Sequence, residues 1–340
     1  MSSSRNRIVL LAKKSGITSF SSLWQIKDAL ETKKVGHTGT LDTFAEGLLV
    51  ALSGSLTRLC PLITNSDKEY LARIVFGSET DTLDPDGSIV KSGNLPLLSD
   101  LQETLPKFTG QIMQQPPVYS ALRVAGKRAS DLVRQGEQVV LEKRPVTVYS
   151  ISLDKAFSSN GSAADNGSTT EKKDRISSAI LSIRCSKGTY IRSLARDIAH
   201  SMNTCGYVGA LRRTRIGPFT LDQAAGADEL PPFSSSAPGL FNTGSRPAKL
   251  DPACIRTHSF EFTPELASVF GYDSILLDPR YSQSFSSGKD IRTEWFTSFS
   301  ALYPENPVKM VFCGTVFAGS IQKLANSYRY EFVAGSLQCM

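Results

Sequence analysis

Asp42 is the residue from which chemistry in this chain would start. It stands in "KKVGHTGTLDTFAEG", Lys33 to Gly47, where one aspartate and one histidine share a short loop with three glycines and three threonines. A carboxylate held between glycine-permitted turns and an apolar run can be kept rigid and partly dehydrated. In that setting it acts as nucleophile or general base, provided a neighbour keeps it ionised. The same position, just before "TFAEGLL", also suits a helix N-cap. Three other side chains have types that fit such a site. His37 can stack on a base or satisfy a loop carbonyl, and Tyr70, in "KEYLARIVFG", can be a platform for a base or a core ring. Arg192, at the start of a helix, can lie in solvent or form a bidentate pair that keeps Asp42 charged.

The whole chain narrows the options. Its 340 residues exceed the usual span of one domain, and its 40% apolar content suits an ordinary soluble core. Formal charge is +6, from 38 Lys and Arg against 32 Asp and Glu, which fits a polyanionic partner without demanding one. No window approaches the roughly 20 apolar residues of a membrane span, and Ile8 to Ala12 is too short for a secretion signal. Six scattered cysteines without C-x-x-C, and three histidines, argue against structural zinc, and free thiols point to a reducing cytoplasm. Signatures of phosphate loops, dinucleotide folds, zinc proteases and serine-hydrolase elbows are missing, so the expected reaction uses no such cofactor and no metal. Asp42 and Glu46 as the acid pair of a glycosidase is disfavoured by the basic balance and by only two tryptophans for sugar platforms.

The elements that must position these residues are legible in part. Thr18 or Ser19 caps a helix carrying Leu23, Ile26 and Leu30 at helical spacing. "GLLVALSGSLTRL" is a buried element, and "KEYLARIVFG" alternates Tyr70, Ala72, Ile74 and Phe76 on one face of a strand. "DTLDPDGS" reads as a Pro-Gly turn. "SSAILSIRCSKGTYIRSLARDIAHSM" reads as a strand to Cys185, a turn at Lys187-Gly188, and a helix with Ile191, Leu194, Ala195, Ile198 and Met202 on its apolar face, Arg192 lying off it. Residues 157–173 are Ser, Asn and Gly rich, as a mobile insertion would be, and from about Gly226 to Pro247 the texture is that of a linker. From about Tyr272 short strand-like pieces predict a compact β-rich domain.

Taken together these stretches resemble the TruB family of tRNA pseudouridine synthases from about Arg7 to Phe219. The family motif K-x-G-H-x-G-T-L-D-P-x-A-x-G-x-L is matched at Lys34, Gly36, His37, Gly39, Thr40, Leu41, Asp42, Ala45 and Gly47. "KEYLARIVFGSETDTLDPDG", "QQPPVYSALRVAGKR" and "CSKGTYIRSLARDIA" resemble further family segments in the same order. Departures fall at Ala12 and Lys14, in a stretch where D-K-P-x-G is common, and at Thr43, Arg123 and Ser130.

The resemblance implies an α+β catalytic domain over 1–235, with a mixed, mainly antiparallel sheet flanked by helices, a connecting segment over 236–270, and a PUA-like RNA-binding β-barrel over 271–336. It implies that Asp42 labilises the glycosidic bond of a uridine, that Arg192 pairs with Asp42, that Tyr70 stacks on the flipped uracil, and that His37 fills the space it leaves. Gly39 and Thr40 would let backbone approach RNA. Lys33, Lys34, Arg212, Arg213 and Arg215 are assigned to phosphate on charge alone. The implied substrate is the T-loop uridine of tRNA, conventionally position 55, modified by a cytoplasmic monomer. A non-catalytic RNA-folding protein on the same scaffold and a guide-RNA-dependent, dyskerin-type enzyme are the alternatives.

Overall fold

A computed structural model describes residues 6–120, 122–124, 126–158, 163–164, 175–233, 249–299, 302, 305–324 and 327–335. Two of its strands, Ile8–Lys13 and Glu46–Ser53, are buried at every position. Because successive strand residues point to opposite faces, they must be covered on both sides. Ile8, Leu10, Leu48, Val50 and Leu52 enter one core, while Val9, Leu11, Leu49 and Ala51 enter another beneath the helix Ser19–Ala29. Burial on both faces is why "GLLVALS" reads as apolar without alternation. It also removes the helix-cap reading of Asp42, since a strand and not a helix follows the loop.

These strands belong to an eleven-stranded sheet. Its main path runs 163–164, 144–158, 176–185, 68–76, 206–216, 46–53, 8–13 and 259–260. All its strand pairs are antiparallel except 206–216 with 46–53, where Arg212 and Arg213 register with Glu46 and Gly47. The sheet is thus mixed and mainly antiparallel. Helix Ile191–Ser201 packs Leu194, Ala195 and Ile198 against Ala72, Ile74 and Val208 of the sheet.

Gly47 makes the one parallel junction possible. It has φ +106°, and a Cβ there would meet the backbone oxygen of Arg213 at 2.4 Å and its nitrogen at 2.8 Å. Only glycine fits both the dihedral and the approach.

The expected β-rich C-terminal domain is present as a five-stranded sheet ordered 296–299, 273–277, 308–313, 316–323 and 328–333. It curls around Ile275, Phe285, Trp295 and Val311. Its outer strands meet through the Phe296 and Tyr328 rings, 5.8 Å apart, and not through a backbone ladder among the described residues. Phe262 joins this domain to the larger one, with ring centroids 6.0 Å from Phe312 and 5.1 Å from Phe317.

The segment expected to be connecting is more than a tether where it is described. Helix Pro252–Thr257 lies against the Ser19–Ala29 helix, and Ser259–Phe260 adds a strand beside Ile8–Lys13. The expected 157–173 insertion falls almost wholly outside the described residues, as does 236–248. Cys60, Cys185, Cys205 and Cys254 are free, whereas Cys313 is disulfide-bonded, so the expectation of free thiols fails there. Among the described residues no helix is long and apolar enough to cross a membrane.

Candidate active site

The loop carrying Asp42 runs between the short strand Val35–His37 and Glu46–Ser53, and neighbouring elements bind its backbone almost residue by residue. Ser19 Oγ donates to the Leu41 carbonyl at 3.0 Å and accepts the Leu41 N–H at 2.8 Å. The Thr43, Phe44 and Ala45 carbonyls accept from Gly16 N–H at 2.8 Å, Ser15 Oγ at 2.7 Å and Lys13 Nζ at 2.6 Å. Arg213 closes the other side, donating to the carbonyls of Gly39 at 3.1 Å, Thr40 at 3.4 Å and Leu48 at 2.9 Å. With carbonyls bound from both flanks, the loop presents Asp42 in one position.

Arg192, the second residue of its helix, reaches that carboxylate with two nitrogens. Nε lies 2.9 Å from Oδ2, and Nη2 donates to Oδ1 at 3.1 Å. The guanidinium also donates to the Thr82 and Tyr119 carbonyls and, through Nη1, to Asp84 Oδ2 at 3.0 Å. Side-chain exposure is 6% for Arg192, 8% for Asp84 and 36% for Asp42. The cation and one anion are therefore enclosed, while the other anion faces solvent. Arg192 is not the solvated residue that its place off the apolar stripe allowed.

Asp84 was missed from the sequence because "DTLDPDGS" reads as a turn. The available signal was that one buried guanidinium needs more acceptors than a single carboxylate supplies. Burial pushes the Asp84 carboxyl upward, against the Thr82 hydroxyl bond at 2.5 Å and the attraction of Arg192.

Asp42 sits where two clefts meet. The first, of about 570 Å³, is lined by Tyr70, Lys68, Lys187, Tyr190, Leu211 and Arg213. The second, of about 680 Å³, is lined by Phe20, His37, Asp84, Tyr119, Arg128 and Arg134. Asp42 and Arg192 line both. Tyr70 and His37 thus line different clefts, both of which reach the carboxylate.

Burial raises the Tyr70 phenol to about 12, with Arg213 acting against the shift. Burial also lowers the His37 imidazole, and Arg213 adds to that. Lys13, another residue that sequence reasoning passed over, is wholly enclosed, and burial brings its ammonium down to about 7.

The residues assigned to phosphate separate by environment. Lys33, Lys34 and Arg215 are exposed, although Arg215 also contacts Glu69 at 3.8 Å. Arg213 is a correction: it is 1% exposed and its guanidinium is committed to carbonyls, so it lines the first cleft without standing on the surface as a phosphate ligand would. Arg212 is likewise engaged, by Glu46 and by the Pro231 carbonyl at 2.6 Å. Alternation along the strand Gly206–Ile216 turns both inward or into partners, which a count of charges cannot reveal.

The sequence departures are accommodated. Ala12 packs in the sheet and pairs with Leu48, and Lys14 binds Glu229 at 2.5 Å. Thr43 contributes its carbonyl to Gly16, a role open to any residue. Nothing in the structure explains Arg123 or Ser130.

Residues 27–191 match the model of the TruB family pseudouridylate synthase N-terminal domain. The chain is 40% identical to tRNA pseudouridine synthase B of Treponema denticola, over 98% of this chain and 99% of that protein. Its identity to the protein of the same name from Treponema pallidum is 39%, over 96% of both. A crystal structure of a Cbf5-Nop10-Gar1 complex shares the fold, with TM-score 0.61 and 19% identity, covering 97% of this chain and 85% of that one. Relatives that match nearly end to end, together with a family motif centred on Asp42, establish that the chain belongs to the TruB family of pseudouridylate synthases.

Proposed function

We propose that this protein isomerises a uridine of tRNA to pseudouridine, the T-loop uridine, with Asp42 as the reacting carboxylate. One observation carries this reading: Arg192 holds Asp42 through both oxygens at the meeting point of two clefts, Tyr70 in one and His37 in the other. A base extruded from a folded RNA needs a new stacking surface on one side of the carboxylate and a side chain to prop its vacated place on the other.

In the reaction the bond from ribose to the uracil nitrogen breaks, the base turns, and a ring carbon rejoins the ribose, giving up its proton while the freed nitrogen takes one up. Nothing is oxidised or hydrolysed overall. Asp42 labilises the first bond, and the Arg192 guanidinium keeps it anionic in a partly enclosed site. Tyr70 stacks on the freed uracil and His37 props the RNA. Lys33, Lys34 and Arg215 bind phosphates, and the C-terminal domain touches the acceptor end. The enzyme acts alone, as a cytoplasmic monomer.

The test is to incubate the protein with an unmodified T-stem-loop RNA, without guide RNA or partner, and to map pseudouridine chemically. Product is expected at the T-loop uridine, and Asp42→Asn should slow it at least about a hundred-fold while RNA binding persists. Tight binding without product would favour an RNA-folding role. A requirement for guide RNA would favour a dyskerin-type enzyme.

A further inference from the structure

We propose that Phe20 is a stacking platform for an unpaired RNA base adjacent to the extruded uridine, an inference that rests on the function proposed above. A phenylalanine usually enters a core, yet Phe20 is 69% exposed while Leu23 and Ile26 of the same helix are 1% and 0% exposed. Its ring lines the second cleft together with His37, Asp42, Arg128 and Arg134. Tyr70 lines the first cleft and Phe20 only the second, so the two rings serve different clefts.

The ring is also held in step with the catalytic loop. Thr18 caps the helix by accepting the Ser21 N–H at 3.0 Å, and Ser19 exchanges two hydrogen bonds with Leu41, the neighbour of Asp42. The backbone of Phe20 thus follows a residue bonded directly to the loop that carries Asp42.

Two cations near the ring suit a nucleic-acid occupant. Lys27 Nζ stands 5.2 Å from the ring centroid. Lys27 and Arg128 form no ion pair among the described residues, so both are available to a phosphate backbone that presents its base to the ring. The cleft also carries Asp84, Asp86 and Asp131, the last paired with Arg134, so the cations left for a phosphate are Lys27 and Arg128, and an exposed aromatic beside such cations suits stacking of a single-stranded base.

The test uses the full chain and a set of T-stem-loop RNAs in which each loop position flanking the target uridine is made abasic in turn. On the complete RNA, Phe20→Ala should raise KM about five-fold or more with kcat changed less than about two-fold, and Phe20→Tyr, which keeps the ring, should restore KM. The penalty should vanish on one abasic RNA, because the base that stacks is then missing from both members of the comparison. Unchanged KM in Phe20→Ala, or a penalty that persists on every abasic RNA, overturns the proposal. Equilibrium binding of the same RNAs gives the same comparison through Kd. Wild-type protein that binds but forms no product would therefore refute the proposed reaction while still deciding the role of Phe20.

Discussion

Arg192 lies between two carboxylates, with Nε 2.9 Å from Asp42 Oδ2 and Nη1 3.0 Å from Asp84 Oδ2. Of the three side chains Asp42 is by far the most exposed, so the buried pair acts as the fixed half of a triad whose third member faces the clefts. Arg192→Met would strand Asp84 in the interior and should cost about 3–5 kcal/mol in urea unfolding. Asp84→Asn keeps the shape but removes the anion that orients the guanidinium. We expect kcat to fall about ten-fold or more with RNA affinity unchanged, and an unaltered kcat would remove Asp84 from the machinery.

Tyr70 supplies a second test. With its phenol raised to about 12, the side chain stays neutral across the working range, so no alkaline limb in kcat below about pH 11 should trace to it. Tyr70→Phe should therefore retain most of the rate, whereas Tyr70→Ala should lose about five-fold or more through stacking. Equal defects in the two variants would contradict the stacking role.

The basic residues divide into two measurable classes. Removing a phosphate contact flattens the dependence of log affinity on log salt by about one, so Lys33→Ala and Lys34→Ala should each do so without changing stability. Arg213→Ala should instead destabilise by at least about 2 kcal/mol, because the Gly39, Thr40 and Leu48 carbonyls lose their charged donor. A normal unfolding curve for that variant would mean that the carbonyl clamp is dispensable.

Stability should also climb with pH through a defined window. Burial brings the Lys13 ammonium from 10.5 down to about 7, with Arg213 adding to the effect and Asp42 opposing it. Below about pH 7 both folded and unfolded chains hold this proton; from there towards 10.5 only the unfolded chain does, so stability increases with pH. Lys68, lowered to about 8, adds in the same direction. Urea unfolding between about pH 7 and 9 should show the rise, and Lys13→Met should reduce its slope. A slope identical in both proteins would show that Lys13 is charged inside the fold.

Much of the fold was legible before the structure because its elements carry local signals. Thr18 caps the first helix, the Tyr70 to Phe76 strand alternates, and the Cys185 to Ile191 turn joins a strand to an amphipathic helix. Asp42 and its family motif were likewise visible, since a loop that must pack glycine against Arg213 and aim a carboxylate constrains many residues at once. Less legible was the part of 249–260 that becomes helix and sheet, because its apolar partners lie in the distant first strand and first helix.

By itself the sequence determined the residue types: the Asp42 loop, the strand tyrosine, the helix-start arginine, and a basic balance that fits a polyanionic partner. Only the tertiary structure decided which charges are paired and which are free. Arg213 looked like a phosphate ligand and is a buried clamp; Asp84 looked like part of a turn and anchors Arg192. Phe20 drew no notice in the sequence and is an exposed ring lining the second cleft. Charge and polarity are written residue by residue, but burial, which sets whether a charge is spent inside the protein or offered to a ligand, depends on the strands and helices that close around it.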